Sequence, residues 1–279
     1  MKKALTLHLI ILFTMSLVVS LRVPDGVVVA ADSLQTTTMN INLPIPPNVY
    51  MKDATGKEIP FLIPPISMPS STSVYAHKLF PFKEKFCVAT FGKVVINNRT
   101  IYSHIKYFES IFSKDKKIDT LSDASRELSE YFQKQLDEEL KITKMHLPKN
   151  QFVTGFLVSG FDSPEDLIGH TIEVIIGETP RVNKISGIGC TVGGDQEVVA
   201  NLWSIAKQNP IRNPSYGAFS LKDAIDYAEF LINTTALFQR FTNVIPSVGG
   251  AVDIALITNY SDRFKWIKCK DLTRVIEDC

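Results

Sequence analysis

The sequence predicts an α+β fold in which strands and helices occupy separate layers. Three observations predict it. Short apolar runs bounded by turn residues come in groups. Long amphipathic segments come in pairs. The resulting order is strands, two helices, strands, two helices, strands, which does not match the one-by-one alternation of a doubly wound parallel sheet.

The first group is a hairpin, Leu17–Val23 with Val27–Ala31, joined by the turn Pro24-Asp25-Gly26. Between residues 37 and 72 stand Pro44, Pro46, Pro47, Pro60, Pro64, Pro65 and Pro69. A stretch so rich in proline forms neither a central strand nor a regular helix, and it reads as a long surface insertion. A short hairpin is expected inside it around residues 53–57. Two apolar strands follow, Ser73–Phe82 and Phe86–Phe91, separated by Lys83-Glu84-Lys85. The first helix pair is Asn97–Ile111 and Ser122–Leu140. Its expected core residues are Ile101, Ile105, Tyr107, Phe108 and Ile111, then Ala124, Leu128, Tyr131, Phe132 and Leu136, with Ser122 as N-cap.

Strands are then expected at Gln151–Ser159, Thr171–Ile176 and Val182–Gly187. The run from Gly189 to Asp195 reads as a strand entering a glycine turn, followed by the helix Gln196–Lys207. A longer helix begins near Ser220 with Ala224, Tyr227, Ala228, Leu231 and Phe238 on one face, interrupted by Thr235. Two last strands, Ala251–Thr258 and Phe264–Ile267, flank Tyr260-Ser261-Asp262.

The chain has 279 residues, 45% hydrophobic and 21% charged, with net charge +1. That suits a globular protein with a sizeable core. Charges are dispersed, so a nucleic-acid surface, which needs a basic stripe, is not expected. Cys87 and Cys190 sit in apolar strands and read as small buried hydrophobes. Cys269 and Cys279 pair only in an oxidising compartment. Without a CxxC or a Cys/His cluster, no structural zinc site is expected.

The N-terminus supports two readings. Met1-Lys2-Lys3 and the apolar run behind it have the form of a secretory signal, with Val28-Val29-Ala30 as a cleavage-like site. Ala4–Leu21 also reaches roughly 18 residues, the lower limit for a membrane span. Against this, the apolar run merges into the Leu17–Val23 strand, and cleavage after Ala30 removes both strands of the hairpin. Residues 1–15 are then a leader or a misassigned extension, and 16–279 form a single domain.

One constellation names a chemistry. The run Asp25-Gly26-Val27-Val28-Val29-Ala30-Ala31-Asp32-Ser33 is a turn, a strand and a carboxylate at the strand's end. Ser16 lies sixteen residues before Asp32, and Lys78 opens a strand segment ending in Ala89-Thr90-Phe91-Gly92. This arrangement resembles the β subunits of the proteasome and their bacterial relatives, which are N-terminal-nucleophile (Ntn) hydrolases. The likeness extends over Ser16–Ile267 and is strongest at Asp25–Ser33, Lys78–Gly92, Ile188–Leu202 and Gly249–Ile267. It implies a four-layer αββα sandwich, two sheets between helix pairs.

It also implies roles. Ser16 is the nucleophile, Asp32 orients a lysine ammonium, Lys78 favours deprotonation of the nucleophile by its charge, and the Gly92 N–H donates to the oxyanion. His77 is incidental, because strand neighbours face opposite sides. A hydroxyl is a weak nucleophile at neutral pH. The free α-amine of the same residue, with a pKa of about 8, can take its proton. Ser16 must therefore become the first residue. Removal of Met15 from a chain started there exposes it.

Two positions depart from the family. Gly193-Gly194-Asp195 stands where the family has a serine, and the stretch from Asn243 to Gly250 lacks the family's aspartate, with Ser247 displaced by one position. Asp195 or Ser247 is the candidate substitute. The resemblance further implies a peptide or protein substrate, no metal or cofactor, a homo-oligomeric ring with heterologous contacts, and a cytoplasmic setting. It leaves open an ATPase partner. The alternative is a non-catalytic, structural subunit of the same fold, exported or membrane-tethered if the leader is genuine.

Overall fold

The protein is described here from a computed structural model that covers residues 16–41, 50–52, 56–60, 66–112, 118–209, 213–260 and 263–270. In chain order its strands and helices are β1 (Leu17–Val23), β2 (Gly26–Ala31), β3 (Gln35–Ile41), β4 (Tyr50–Lys52), β5 (Glu58–Pro60), β6 (Ile66–Ser73), β7 (Leu79–Phe82), β8 (Phe86–Gly92), β9 (Val95–Ile96), β10 (Arg99–Thr100), α1 (Ile101–Tyr107), α2 (Leu121–Thr143), β11 (Phe152–Gly160), β12 (His170–Gly177), β13 (Arg181–Ile185), β14 (Gly189–Gly194), α3 (Glu197–Lys207), α4 (Leu221–Arg240), β15 (Asp253–Ile257) and β16 (Phe264–Lys268). The fold is α+β with antiparallel sheets. One five-stranded sheet runs β14-β1-β2-β15-β16 and the other β13-β12-β11-β8-β7.

Each sheet is buried on both faces by alternate side chains of the same strands. On β1 and β2, Leu17, Val19, Leu21, Val28 and Ala30 pack against Ala224, Ala228, Leu231 and Ile232 of α4 and Val199 of α3. The alternate residues Val18, Val27, Val29 and Ala31 pack against Leu79, Cys87, Ala89 and Leu157 of the second sheet. The outer face of that sheet, through Phe86, Val88, Phe156, Ile172 and Val174, covers Ile101 and Ile105 of α1 and Leu128, Phe132 and Leu136 of α2. This double burial explains the near-continuous Val/Leu composition of the first hairpin. Each fully buried Val or Leu contributes about 1.5–3 kcal/mol relative to exposure. Among the described residues, no helix is long and apolar enough to cross a membrane.

Several element boundaries differ from expectation, each for a local reason. The helix expected from Asn97 starts at Ile101. Asn97 and Asn98 take positive φ (46° and 60°) and turn β9 back on β10. Thr100 caps the helix by accepting from the Ser103 N–H. Tyr107 and Ile111 are exposed, because α1 gives way to a π-helical turn over Phe108–Phe112. The N-cap of α2 is Thr120, which accepts from the Asp123 N–H at 3.0 Å, in place of Ser122.

The expected strand Ser73–Phe82 breaks after Ser73 and resumes at Leu79. The proline-rich insertion is an arm: β3 pairs with β6 from Gln35↔Ser73 outward, with a register shift that admits Pro69. Within it β4 pairs with β5, while residues 53–55 of the anticipated hairpin lie outside the described residues. Residues 1–15, Ser261-Asp262 and Cys279 lie outside them as well. Cys87 is buried as expected, but Cys190 is only partly buried.

The buried His104 couples this architecture to pH. Its Nε2 meets Ile96 O at 2.8 Å and its Nδ1 meets Tyr131 Oη at 2.8 Å. The neutral ring satisfies both contacts if Nε2–H donates to the carbonyl and the Tyr131 hydroxyl donates to Nδ1. Burial pushes the tyrosine up to about 12, keeping that hydroxyl protonated. Burial lowers the His104 pKa below 6.5, with Arg99 acting in the same direction. A lowered folded value means that the unfolded chain binds the proton first as pH falls. Stability is therefore expected to hold above about pH 6.5 and to fall below it, by up to about 1.4 kcal/mol per pH unit. Urea titrations at pH 7.5 and 5.5 check this against His104→Gln, whose stability should lack that component; equal slopes in both proteins would refute it.

Candidate active site

Asp32 ends β2 and is fully buried. Its Oδ1 accepts from the Leu17 N–H at 3.0 Å and from Lys78 Nζ at 2.7 Å. Its Oδ2 accepts from the N–H groups of Leu34 (3.1 Å) and Gly249 (3.0 Å). Four donors converge on one carboxyl, an arrangement that suits the anion. Burial raises the Asp32 pKa above the usual carboxylate range. Lys78 and the N–H groups of Leu17 and Gly249 oppose that rise.

Lys78 is 1% exposed. Its ammonium also donates to Leu34 O, and its own carbonyl accepts from the Thr90 N–H at 2.8 Å, which pins it to β8. Burial lowers its pKa below the usual lysine range, with Asp32 opposing. The ion pair thus stands one residue from Ser16, held through the Leu17 amide. Ser16, Asp32 and Lys78, which the sequence places far apart, share one end of β1 and β2.

Ser16 itself is buried. Its carbonyl accepts from the Asp195 N–H at 2.7 Å, while Leu17 registers with Gly194 across the β1–β14 pair. A Cβ on Gly194 would fall 1.7 Å from Ser16 O, so that position, at φ +93°, requires glycine. The same imagined Cβ lies 3.3 Å from Phe91 Cβ, which brings the end of β8 beside Ser16. Gly92 follows Phe91 at φ +91°, where a Cβ would approach Val153 O to 2.8 Å. Glycine avoids that clash and takes the positive φ with which the chain continues along β11, the Lys93 N–H donating to Val153 O at 2.9 Å.

Asp195 and Ser247, both singled out in the sequence, meet in space. Asp195 Oδ2 accepts from Ser247 Oγ at 2.7 Å and from Gln239 Nε2 at 2.8 Å. Gln239 Oε1 in turn accepts from the N–H groups of Ser247 (2.9 Å) and Val248 (3.0 Å). The network links the carbonyl of Ser16 to the loop that also donates to Asp32 through Gly249. Gln239 was not anticipated. The helical face was expected to end on Phe238, but Phe238 is exposed and Gln239 takes the buried slot, in step with Ala228, Leu231 and Thr235. The available signal was a glutamine four residues after Thr235 on an otherwise apolar face.

A cavity of about 290 Å³ adjoins the ion pair, lined by Gln35, Ala76, His77, Thr90, Ile101 and Tyr102 among others. Gln35 follows Leu34, and Thr90 is bonded to the Lys78 backbone. The cavity carries hydroxyl, amide, aromatic and aliphatic groups and no carboxylate or ammonium. His77, expected to be incidental, lines it and packs against Tyr102, the rings tilted by 32° with centroids 5.0 Å apart. Among the described residues, no group of three or more His, Cys, Asp or Glu side chains is arranged to hold a metal ion.

No protein-family model matches the chain, and no match is found among curated proteins.

Proposed function

We propose that this chain is a proteasome-like Ntn hydrolase that cleaves peptide or amide bonds with Ser16 as its nucleophile, once residues 1–15 are removed. The observation that carries this reading is the Asp32 carboxylate, which bridges the Leu17 amide and the buried Lys78 ammonium. In this reading a cation held one residue from Ser16 favours deprotonation of its hydroxyl electrostatically. Two antiparallel sheets packed face to face, each with helices on its outer side, support the four-layer αββα sandwich as well.

In this mechanism the freed Ser16 α-amine takes the Oγ proton as Oγ bonds to the substrate carbonyl carbon. The Gly92 N–H and the Lys78 charge stabilise the oxyanion. The C–N bond breaks, the leaving amine takes the proton, and the resulting ester on Ser16 is hydrolysed by water. The uncharged cavity at Gln35, Ala76 and Thr90 suits a neutral substrate side chain. The ring assembly and the cytoplasmic setting belong to the same reading.

One observation favours the alternative of a non-catalytic subunit: Ser16 is almost fully buried. The test is a peptide-based acylating or epoxyketone probe, applied to the full chain and to one beginning at Ser16. The shorter chain is expected to gain one adduct on Ser16 by mass spectrometry, and the full chain none. Absence of label from both would favour the non-catalytic subunit.

A further inference from the structure

A second buried ion pair lies outside the constellation that named the chemistry. Lys270 Nζ pairs with Asp253 Oδ2, and both side chains are 3% exposed. The Lys270 N–H donates to Asp253 Oδ1 at 2.8 Å, so main chain and side chain grip the same carboxylate. The ammonium also donates to Ser33 Oγ at 3.0 Å, and Ser33 Oγ donates onward to Ala251 O at 2.6 Å.

Ser33 stands between the two residues that hold Lys78. Asp32 supplies the carboxylate and Leu34 the carbonyl. The Ser33 N–H donates to Gly249 O at 2.9 Å, and Ser33 O accepts from the Ala76 N–H at 3.0 Å, two residues before Lys78. The backbone groups of Ser33 are thus tied to segments of the candidate site, and its hydroxyl to Ala251 and Lys270. Buried ion pairs add little stability, because desolvation offsets the attraction. A pair placed on this residue does something else.

We infer that Lys270 is a positioning residue of the Ser16 site, fixing the Asp32–Leu34 loop through Ser33 so that Lys78 is held in place. The inference rests on the hydrolase reading above. Asp253 holds Lys270 and balances its charge. The groups facing Lys78 are then Asp32 and Asp253 as anions, Lys270 as a cation, and His77 as its chain neighbour. Lys270 weakens the hold of Lys78 on its proton and Asp253 strengthens it.

The test uses the chain beginning at Ser16 and its Lys270→Met, Lys270→Arg and Lys270→Met/Asp253→Leu variants. The double variant leaves no unpaired buried charge, so it keeps the test open if Lys270→Met fails to fold. For both Met-containing variants kcat on a peptide amide is expected to fall about tenfold or more, with KM within about twofold. Lys270→Arg should restore most of the rate.

In Lys270→Met the pH profile of kcat should move to higher pH by about half a unit. Loss of this cation removes a charge that lowers the proton affinity of Lys78, the cation that acts on Ser16. Hydrogen exchange at the Ser33 and Leu34 amides should quicken about tenfold, while β1 and β2 stay protected. A lower melting temperature with unchanged kcat, pH profile and exchange at those amides would overturn the inference. If the parent chain cleaves no peptide amide, the hydrolase reading fails, and the positioning role of Lys270 stands or falls on the exchange of Ser33 and Leu34.

Discussion

Ser16→Ala, in a chain beginning at residue 16, is expected to reduce peptide-amide hydrolysis by about 10⁴-fold or more, the scale seen when a nucleophile is removed from a catalytic unit that works together. The substitution removes one oxygen and leaves the surroundings intact. The Ser16 carbonyl still accepts from Asp195, and the Leu17 amide still donates to Asp32. KM should therefore change little, and the melting temperature should stay within a few degrees of the parent. Ser16→Thr is expected to retain activity, since it keeps hydroxyl and amine on one residue. Ser16→Cys should retain less against amides and more against esters. A parent and a Ser16→Ala variant with equal rates would eliminate Ser16 as nucleophile.

Lys78→Met carries the second large effect, on stability and rate together. The four-carbon stem is replaced by a side chain of similar length, so packing is nearly conserved. The Asp32 carboxylate, however, loses its cation while fully buried, and breaking one side of a buried pair costs about 3–5 kcal/mol. The urea midpoint should drop accordingly. Activity of the folded fraction should fall by about 10²-fold or more, from lost electrostatic stabilisation. Lys78→Met/Asp32→Asn removes the uncompensated charge and should recover part of the stability, the Asn NH2 leaving the Leu17 N–H without its acceptor, and none of the activity. A single variant as stable as the parent would mean that Asp32 is held protonated, contrary to the four donors on its oxygens.

The first hairpin and the strand Phe86–Phe91 were legible in the sequence. Each is a local pattern in which period-two alternation and turn residues fix which way a side chain points. The partners that complete the site were not. Gln239 reaches Asp195 from a helix, and Lys270 reaches Ser33 across a sequence separation of 237. No local pattern encodes such pairings.

Phe238 and Gln239 illustrate the limit. Hydrophobicity favours burying the phenylalanine, yet the helix turns the glutamine inward, where its amide satisfies one carboxylate, one hydroxyl and two backbone groups. The β3–β6 pairing was hidden for a related reason. The prolines exclude a central strand but permit a two-stranded arm, and its pairing is anchored at Gln35 and Ser73, at the border of the proline-rich stretch.

That arm has a consequence for how the molecule can vary. It starts after Leu34, is still held at Thr36, whose hydroxyl donates to Pro246 O, and ends before Lys78; its root is closed by the bond from the Ala76 N–H to Ser33 O and by the Lys78–Asp32 pair. With both ends clamped, lengthening the excursion adds only about 0.6 kcal/mol of loop-closure cost per doubling. The interval between Asp32 and Lys78 is therefore elastic: whole segments can be gained, lost or exchanged there without disturbing the spatial meeting of the two residues. The interval between Ser16 and Asp32 is rigid, because one added residue slips the strand register and turns every side chain on β1 or β2 to the opposite face. Two stretches of one polypeptide, meeting at the same carboxylate, thus follow opposite rules of tolerance.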